Sequence, residues 1–177
     1  MQKILQWTGS ISEYQEGFKN LKLEKPEKCS CGCAKFHKWG IYERYADAEK
    51  ESYRVPIQRI CCIKCKKTYS YLPSFCVSGF CYSVDFIITI LKALILKIKF
   101  DFGERKRRAY DILKRFVILE NLWIAFLRTR GLGYITADKN EKRVKILTAL
   151  LEIHENKNLM TSFLRETGKH FMTINKA

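Results

Sequence analysis

Of the eight cysteines in this 177-residue chain, six fall between residues 28 and 75, in two groups. The first is KCSCGC, with Cys29, Cys31 and Cys33 each one residue from the next. The second is RICCIKCKK, with Cys61, Cys62 and Cys65. Cys62 and Cys65 form C-x-x-C, the spacing that lets one tight turn aim two sulfurs at the same ion. The first group holds no such pair. Cys29 with Cys33 is C-x-x-x-C, within the usual range; Cys29 with Cys31 is tighter. Cys31 is followed by Gly32, however, and a knuckle needs positive φ just after its second ligand, which glycine adopts without strain. We expect Cys29, Cys31, Cys62 and Cys65 to hold a metal, with Cys33 as the alternate to Cys31. Four thiolates on two such knuckles make zinc the default ion and close its tetrahedral shell, which leaves no open position for a substrate. The site is therefore expected to be structural. It would carry about −2 of charge, offset by Lys28, Lys64, Lys66 and Lys67. Cys61, Cys76 and Cys81 read as small apolar residues, and His37 as a mid-strand packing or surface residue.

The elements around the cysteines are short β-type runs: AKFHKW, IYERY, YRVPIQRI and KTYSYL, with Gly40 breaking the first pair. Two knuckles separated by such strands make a zinc ribbon. A module this small buries too little apolar surface to fold alone, so the metal would supply folding free energy. From Ser83 onward the periodicity becomes helical. Ser83 is an N-cap with Asp85 in the first turn, and the helix is expected to reach about Phe100 or Phe102. A second helical stretch starts near Glu104 and continues through NLWIAFLRTR to Gly131, either bending around VILEN or as one long helix with a solvated basic face. GLGY (131–134) is a break. Asp138 and Glu141 open a further helix with a capping box, and LMTSFLRET forms a last one that stops at Gly168. The expected fold class is α+β: a lead-in segment (1–27), a small β-rich zinc ribbon (28–82) and an all-α domain with a candidate helix-turn-helix (83–177).

Bulk composition narrows the partners. The chain is 47% hydrophobic, enough for a core, and its formal net charge is +15 with a sequence pI of about 9.5. That balance favours polyanions, nucleic acid foremost. The charge is spread through the chain, unlike that of a basic tail: residues 1–82 hold 14 Lys+Arg against 8 Asp+Glu, and residues 83–177 hold 19 against 10. The N-terminal stretch MQKILQWTGSISEYQEGF lacks the pattern of a secretory signal, so we expect a cytoplasmic protein whose clustered cysteines bind metal. VDFIITILKALILKI is too short to span a bilayer and is broken by Lys92 and Lys97, so no membrane role is expected.

CGCAKFHKWGIYERY, RICCIKCKKTYSYLPSF and YSVDFIITIL together resemble a family of short bacterial zinc-ribbon proteins. That family is similar to the zinc-ribbon and helix-turn-helix front ends of insertion-sequence transposases. Its pattern is a C-x-x-C-G knuckle, a Gly-Tyr-x-Arg stretch, an Arg before a second C-x-x-C, then Thr-His and Leu-Pro-x-Phe. Arg59, Cys62, Cys65, Thr68, Leu72, Pro73 and Phe75 match it. Gly40, Tyr42 and Arg44 match with one residue inserted after the glycine. The first knuckle is one residue short, and Tyr69 stands where the histidine would be. The resemblance covers about a third of the chain and implies mobile-element biology linked to DNA.

The most basic segment is KIKFDFGERKRRAYDILKRF. Its Arg105, Lys106, Arg107, Arg108, Lys114 and Arg115 are candidate phosphate contacts, while Ala109, Ile112, Leu113 and Phe116 would face a core. The resemblance implies a helix-turn-helix with RRAYDILKRF first and NLWIAFLRTR second, adding Arg128 and Arg130 to the candidates. Trp123 and Phe126 read as core. No catalytic activity is expected: the carboxylates after Ser83 lie in helical sequence and read as caps and ion pairs, and no phosphate loop or nucleophile pair is present. The function expected is a non-catalytic protein that binds double-stranded DNA and acts with transposition proteins as an accessory or regulator. The alternatives are a protein–protein adaptor, which could be a homo-oligomer, and a truncated transposase that kept its DNA-binding front end.

Overall fold

The computed structural model describes residues 1–132, 138–155 and 159–172. The architecture is α+β, with strands first and helices after, as the sequence pattern implies. Strands β2 (Phe36–Asp47) and β3 (Ser52–Cys62) form a long antiparallel hairpin. Alternation along β3 explains its placement: Val55 and Ile57 are fully buried on one face, while Pro56 and Gln58 lie on the other. Its register against β2 shifts between Lys38 and Gly40, so that Trp39 is the extra residue of a bulge. Strand β4 (Thr68–Pro73) runs antiparallel to β3, and β1 (Gln2–Leu5) runs parallel to β4, giving the order β1-β4-β3-β2.

The segment 1–27, expected as a lead-in outside the ribbon, thus adds a strand to the sheet. It also carries helix α1 (Ile11–Gly17), which opens on a full capping box. Ser10 Oγ accepts from Glu13 N at 3.1 Å, and the Glu13 carboxylate accepts from Ser10 N. Pairing of β3 with β4 involves only Arg59 to Cys61, so the first half of β3 has a free edge. Helix α1 covers it: Gln15 Nε2 donates to the Arg54 carbonyl at 2.9 Å and Tyr14 Oη to the Pro56 carbonyl at 3.0 Å.

Helix α2 (Val84–Ile95) is the axis of the helical part. Ser83 caps it by accepting from Phe86 N at 3.2 Å, and Ile87, Ile90 and Leu91 are fully buried. The helix ends well before Phe100. Lys97 takes a left-handed conformation (φ 56°), and the amide of Ile98 donates back to the Ala93 carbonyl at 3.0 Å. That is the long bond of a Schellman motif with lysine where glycine is usual, which is why the sequence hides the stop. Helix α3 (Lys106–Ile118) follows, and then α4 (Glu120–Arg128). They meet at Leu119 alone, inside VILEN, so the stretch the sequence leaves open between one long helix and a bent pair is two helices, and Trp123 Nε1 donates across the corner to the Phe116 carbonyl at 2.9 Å. Helices α5 (Lys139–Glu155) and α6 (Leu159–Thr167) complete the cluster. Asp138 accepts from Glu141 N at 2.7 Å at the start of α5, and Gly168 (φ 66°) follows α6. Rings of Phe116, Trp123, Phe126, Phe163 and Phe171 pack together at its centre. The GLGY break extends past residue 132 and so lies partly outside the described residues. No helix among the described residues is long and apolar enough to cross a membrane.

The left-handed lysine gives a direct check. Lys97→Gly should raise stability by about 1 kcal/mol, because glycine relieves the Cβ clash at an exposed position. Urea unfolding would show a higher midpoint; an unchanged or lower one would argue against the Schellman end.

Candidate metal centre

Both knuckles sit at the end of the sheet where β2 starts and β3 stops, since Phe36 pairs with Cys62. The first is a turn in which Gly32 N donates to the Cys29 carbonyl at 2.8 Å and Cys29 N to the Cys33 carbonyl at 2.8 Å. Gly32 has φ 80°. The second turn closes with Lys66 N donating to the Cys62 carbonyl at 3.0 Å and Cys62 N to the Lys67 carbonyl at 2.9 Å. Lys66 there has φ 60°. Each turn therefore places a left-handed residue directly after its second cysteine. Ile63 N, donating to the Lys35 carbonyl at 3.2 Å, and Lys67 Nζ, 2.8 Å from Ser30 Oγ, tie the two turns together.

This arrangement brings the thiols of Cys29, Cys31, Cys62 and Cys65 within 4.8 Å of one another. The Cys29–Cys65 and Cys31–Cys62 sulfurs are 3.4 and 3.6 Å apart. Four sulfurs at ~2.3 Å around a tetrahedral ion would stand roughly 3.8 Å from each other, so the cage has the size a thiolate-bound metal requires. No disulfide links any cysteine. Cys33 lies outside the cage. Its sulfur accepts from Lys35 N at 3.4 Å, and its carbonyl, not its thiol, closes the first turn. His37 is likewise outside; it meets Trp39 edge to face at 5.7 Å. Cys61 and Cys76 are buried away from the cluster, and burial pushes the Cys76 thiol up to about 12.

Tyr69 supports the cage from behind. Its ring is buried against Phe36, edge to face at 5.7 Å, and its hydroxyl donates to Cys29 Sγ at 3.2 Å. Together with the Cys31 amide, that bond pulls the Cys29 thiol down to about 5. The Cys62 thiol is lowered too, first by the amide of Cys65. Cys65 goes the other way, to about 12: the Lys67 amide favours its thiolate, but desolvation and the three neighbouring sulfurs outweigh it. Without a cation the four sulfurs cannot all ionise; a divalent ion would displace the remaining protons. The supporting role of Tyr69 was missed in the sequence, where it stood only as a departure from histidine. Its signal was its place at the start of β4, directly behind the C-x-x-C turn.

The candidate phosphate contacts divide into two sets. Arg105 donates to the carbonyls of Ala48 and Glu49 at 3.3 and 3.1 Å and lies 5.2 Å over Phe86. Arg108 reaches Cys81 Sγ at 3.7 Å, and Arg115 stacks 4.7 Å over Phe80. Arg130 pairs with Glu166 at 2.7 Å, holding that carboxyl below its usual range, and stacks 5.0 Å over Phe126. Lys106, Arg107, Lys114 and Arg128 are exposed, and so is Arg108 apart from its contact with Cys81. Trp123 and Phe126 are core residues.

No family model matches this chain, and no curated protein or solved structure matches it.

Two measurements test the cage. Metal analysis of purified protein should give one ion per chain, lost in Cys62→Ser and kept in Cys33→Ser; loss in Cys33→Ser would put that thiol in the ligand set. Tyr69→Phe should lower metal affinity by about 10- to 100-fold, the effect of removing an outer-shell partner, as measured by chelator competition. The Cys29 thiol then moves up, so the loss should be larger at pH 6 than at pH 8.

Proposed function

We propose that this chain is a non-catalytic duplex-DNA-binding protein whose ribbon is held by a structural zinc ion and whose helix α3 meets the phosphates. The observation that carries the reading is the two-sidedness of α3. Ala109, Ile112 and Phe116 are buried in the helical core, while Arg107 and Lys114, two turns apart on the opposite side, are exposed. Lys106 and, from α4, Arg128 add exposed cations. A rigid helix with its apolar side fixed and its cations in solvent is suited to track a phosphate backbone. Four sulfurs leave no free position on the metal, so the ion would act by holding the ribbon together. Action as an accessory or regulator of transposition follows from the resemblance in the ribbon. Within that resemblance α3 and α4 would be the helix pair, with Leu119 as the entire connection.

An adaptor role draws on a different observation. The apolar surface of α2 is used inside the core, but Leu96, Ile98, Tyr110 and Ile118 remain exposed. Sedimentation would separate the two readings, since an adaptor of this kind forms a stable oligomer without DNA.

Fluorescence anisotropy with metal-loaded protein and duplex DNA over a salt series tests the leading reading. Affinity should fall steeply with salt. The double variant Arg107→Ala, Lys114→Ala should weaken binding uniformly across sequences and lower the salt slope by about two, one for each lost phosphate contact. Unchanged affinity would remove α3 as the DNA-facing surface.

A further inference from the structure

The chain after α1 does more than lead into the first knuckle. Residues 18–25 run beside the Pro56–Gln58 face of the hairpin, tied at the far end where Tyr71 Oη donates to the Glu24 carbonyl at 2.7 Å. Between this segment and the sheet lies a cavity of about 520 Å³. That size is within the roughly 300–1,000 Å³ of small-molecule sites. Its floor is Ile41, Pro56, Gln58 and Ile60, and its bank is Phe18, Leu21 and Leu23. The floor is a strip, because Ile60, Gln58 and Pro56 are alternate residues of β3 and span roughly 13 Å. It deepens from Ile41, 54% exposed, to Ile60, 3% exposed. The bulge in β2 makes the strip possible. Lys38 pairs with Ile60 and Ile41 with Gln58, so both lie on one face although they are three residues apart. In a regular strand that separation would put them on opposite faces.

The polar groups around the strip are of one sign. Lys19, Lys25 and Lys38 line the cavity and are exposed, and no Asp or Glu lines it. None of the three lysines forms an ion pair among the described residues. Gln58, the one side-chain amide of the floor, donates both its hydrogens to the carbonyls of Gly40 and Arg59, at 2.9 and 2.8 Å. The floor therefore has no side-chain donor left to read a polar ligand, and recognition falls to apolar contact and the ammonium groups at the rim. Ammonium groups on flexible stems suit a single anionic head that stays in contact with water. We propose that this groove binds a free long-chain carboxylate, its chain laid along Ile60, Pro56 and Leu23 and its head held by the rim lysines. The site is separate from α3 and does not depend on the DNA-binding reading.

Calorimetric titration of full-length, metal-loaded protein with octanoate, decanoate and dodecanoate, each below its micellar concentration, tests the groove. Binding should saturate at one ligand per chain, and affinity should rise about four-fold per added methylene. Dodecyltrimethylammonium, of similar chain and opposite charge, should bind at least about ten-fold more weakly. Ile41→Glu should weaken dodecanoate by about ten-fold or more, since it sets a like charge in an apolar floor. Because Ile41 is exposed, circular dichroism, metal content and duplex affinity should match the parent in that variant. Replacing Lys19, Lys25 and Lys38 together by alanine should weaken dodecanoate and abolish the preference over the cation. Affinity independent of chain length, equal binding of the cation, or an unchanged Ile41→Glu would each overturn the assignment. So would binding to anionic phospholipid vesicles without binding to free dodecanoate, which would make the groove a membrane-facing surface. If dodecanoate binds and duplex DNA does not, the groove stands and the DNA-binding reading falls alone.

Discussion

Four sulfurs crowded at one end of a sheet are mutually repulsive once ionised, and the rest of the ribbon depends on how that repulsion is resolved. The hydrophobic cluster beside them is small: Cys29, Phe36, Ile60, Cys62, Tyr69 and Tyr71 are its buried members. Such a cluster cannot by itself hold two turns separated by some thirty residues. A divalent ion turns repulsion into attraction, and in zinc-finger peptides metal binding supplies about 10–16 kcal/mol. The protein prepares the site with neutral donors. The Tyr69 hydroxyl and the turn amides stabilise sulfur charge without adding positive charge, so a bound cation would still meet the negative charge of the sulfurs. Phe36 and Tyr69 both pack in the core and border the cage, so metal geometry and strand packing are set by the same side chains.

The ribbon is then fastened to the helices by backbone. Asp47, at the end of β2, donates its amide to the Cys81 carbonyl at 2.6 Å and accepts from Ser83 N at 2.9 Å, while Val84 N donates to the Phe75 carbonyl at 2.9 Å. Ser83 is thus bound to the sheet at the residue that caps α2, so the direction of the helical axis follows from the hairpin. Arg44 reinforces the joint by donating to the carbonyls of Val77 and Phe80, and Arg105 reaches Ala48 and Glu49 from the other side. Charge-assisted bonds to loop carbonyls are the stronger kind, and here they satisfy backbone that no strand or helix could.

Local chemistry was legible in the sequence and long-range pairing was not. The cage residues could be chosen because Gly32 marks the end of a turn, and Ser83 because a serine before an apolar helical run has one common use. The break at Leu119 was not decided by the sequence, because VILEN holds no glycine or proline and one continuous helix fitted the pattern as well as two. Strand β1 could not be found, since MQKIL has no alternation long enough to mark a strand. Its partner β4 lies nearly seventy residues away, with Gln2 opposite Ser70. The early end of α2 was hidden because Lys97 adopts a conformation that sequence reading assigns to glycine. The placement of Lys38 and Ile41 on one face needed the register shift in β2, which no composition rule reveals.

The same distinction bears on the charge of +15. Counted along the sequence, Arg105, Arg108, Arg115 and Arg130 are indistinguishable from Arg107 and Lys114. In the fold Arg105, Arg115 and Arg130 are half-buried against carbonyls, an aromatic ring or a carboxylate, Arg108 is exposed but reaches a sulfur, and Arg107 and Lys114 face water. Arginine suits the inner role because its planar, weakly hydrated guanidinium stacks and forks where an ammonium would not. Loss of Arg105 or Arg115 would therefore loosen the joint between sheet and helices, whereas loss of Arg107 or Lys114 would leave that joint untouched. A cation's availability to any ligand is set by what the fold leaves it free to touch, and net charge by itself overstates the number of cations this fold leaves free.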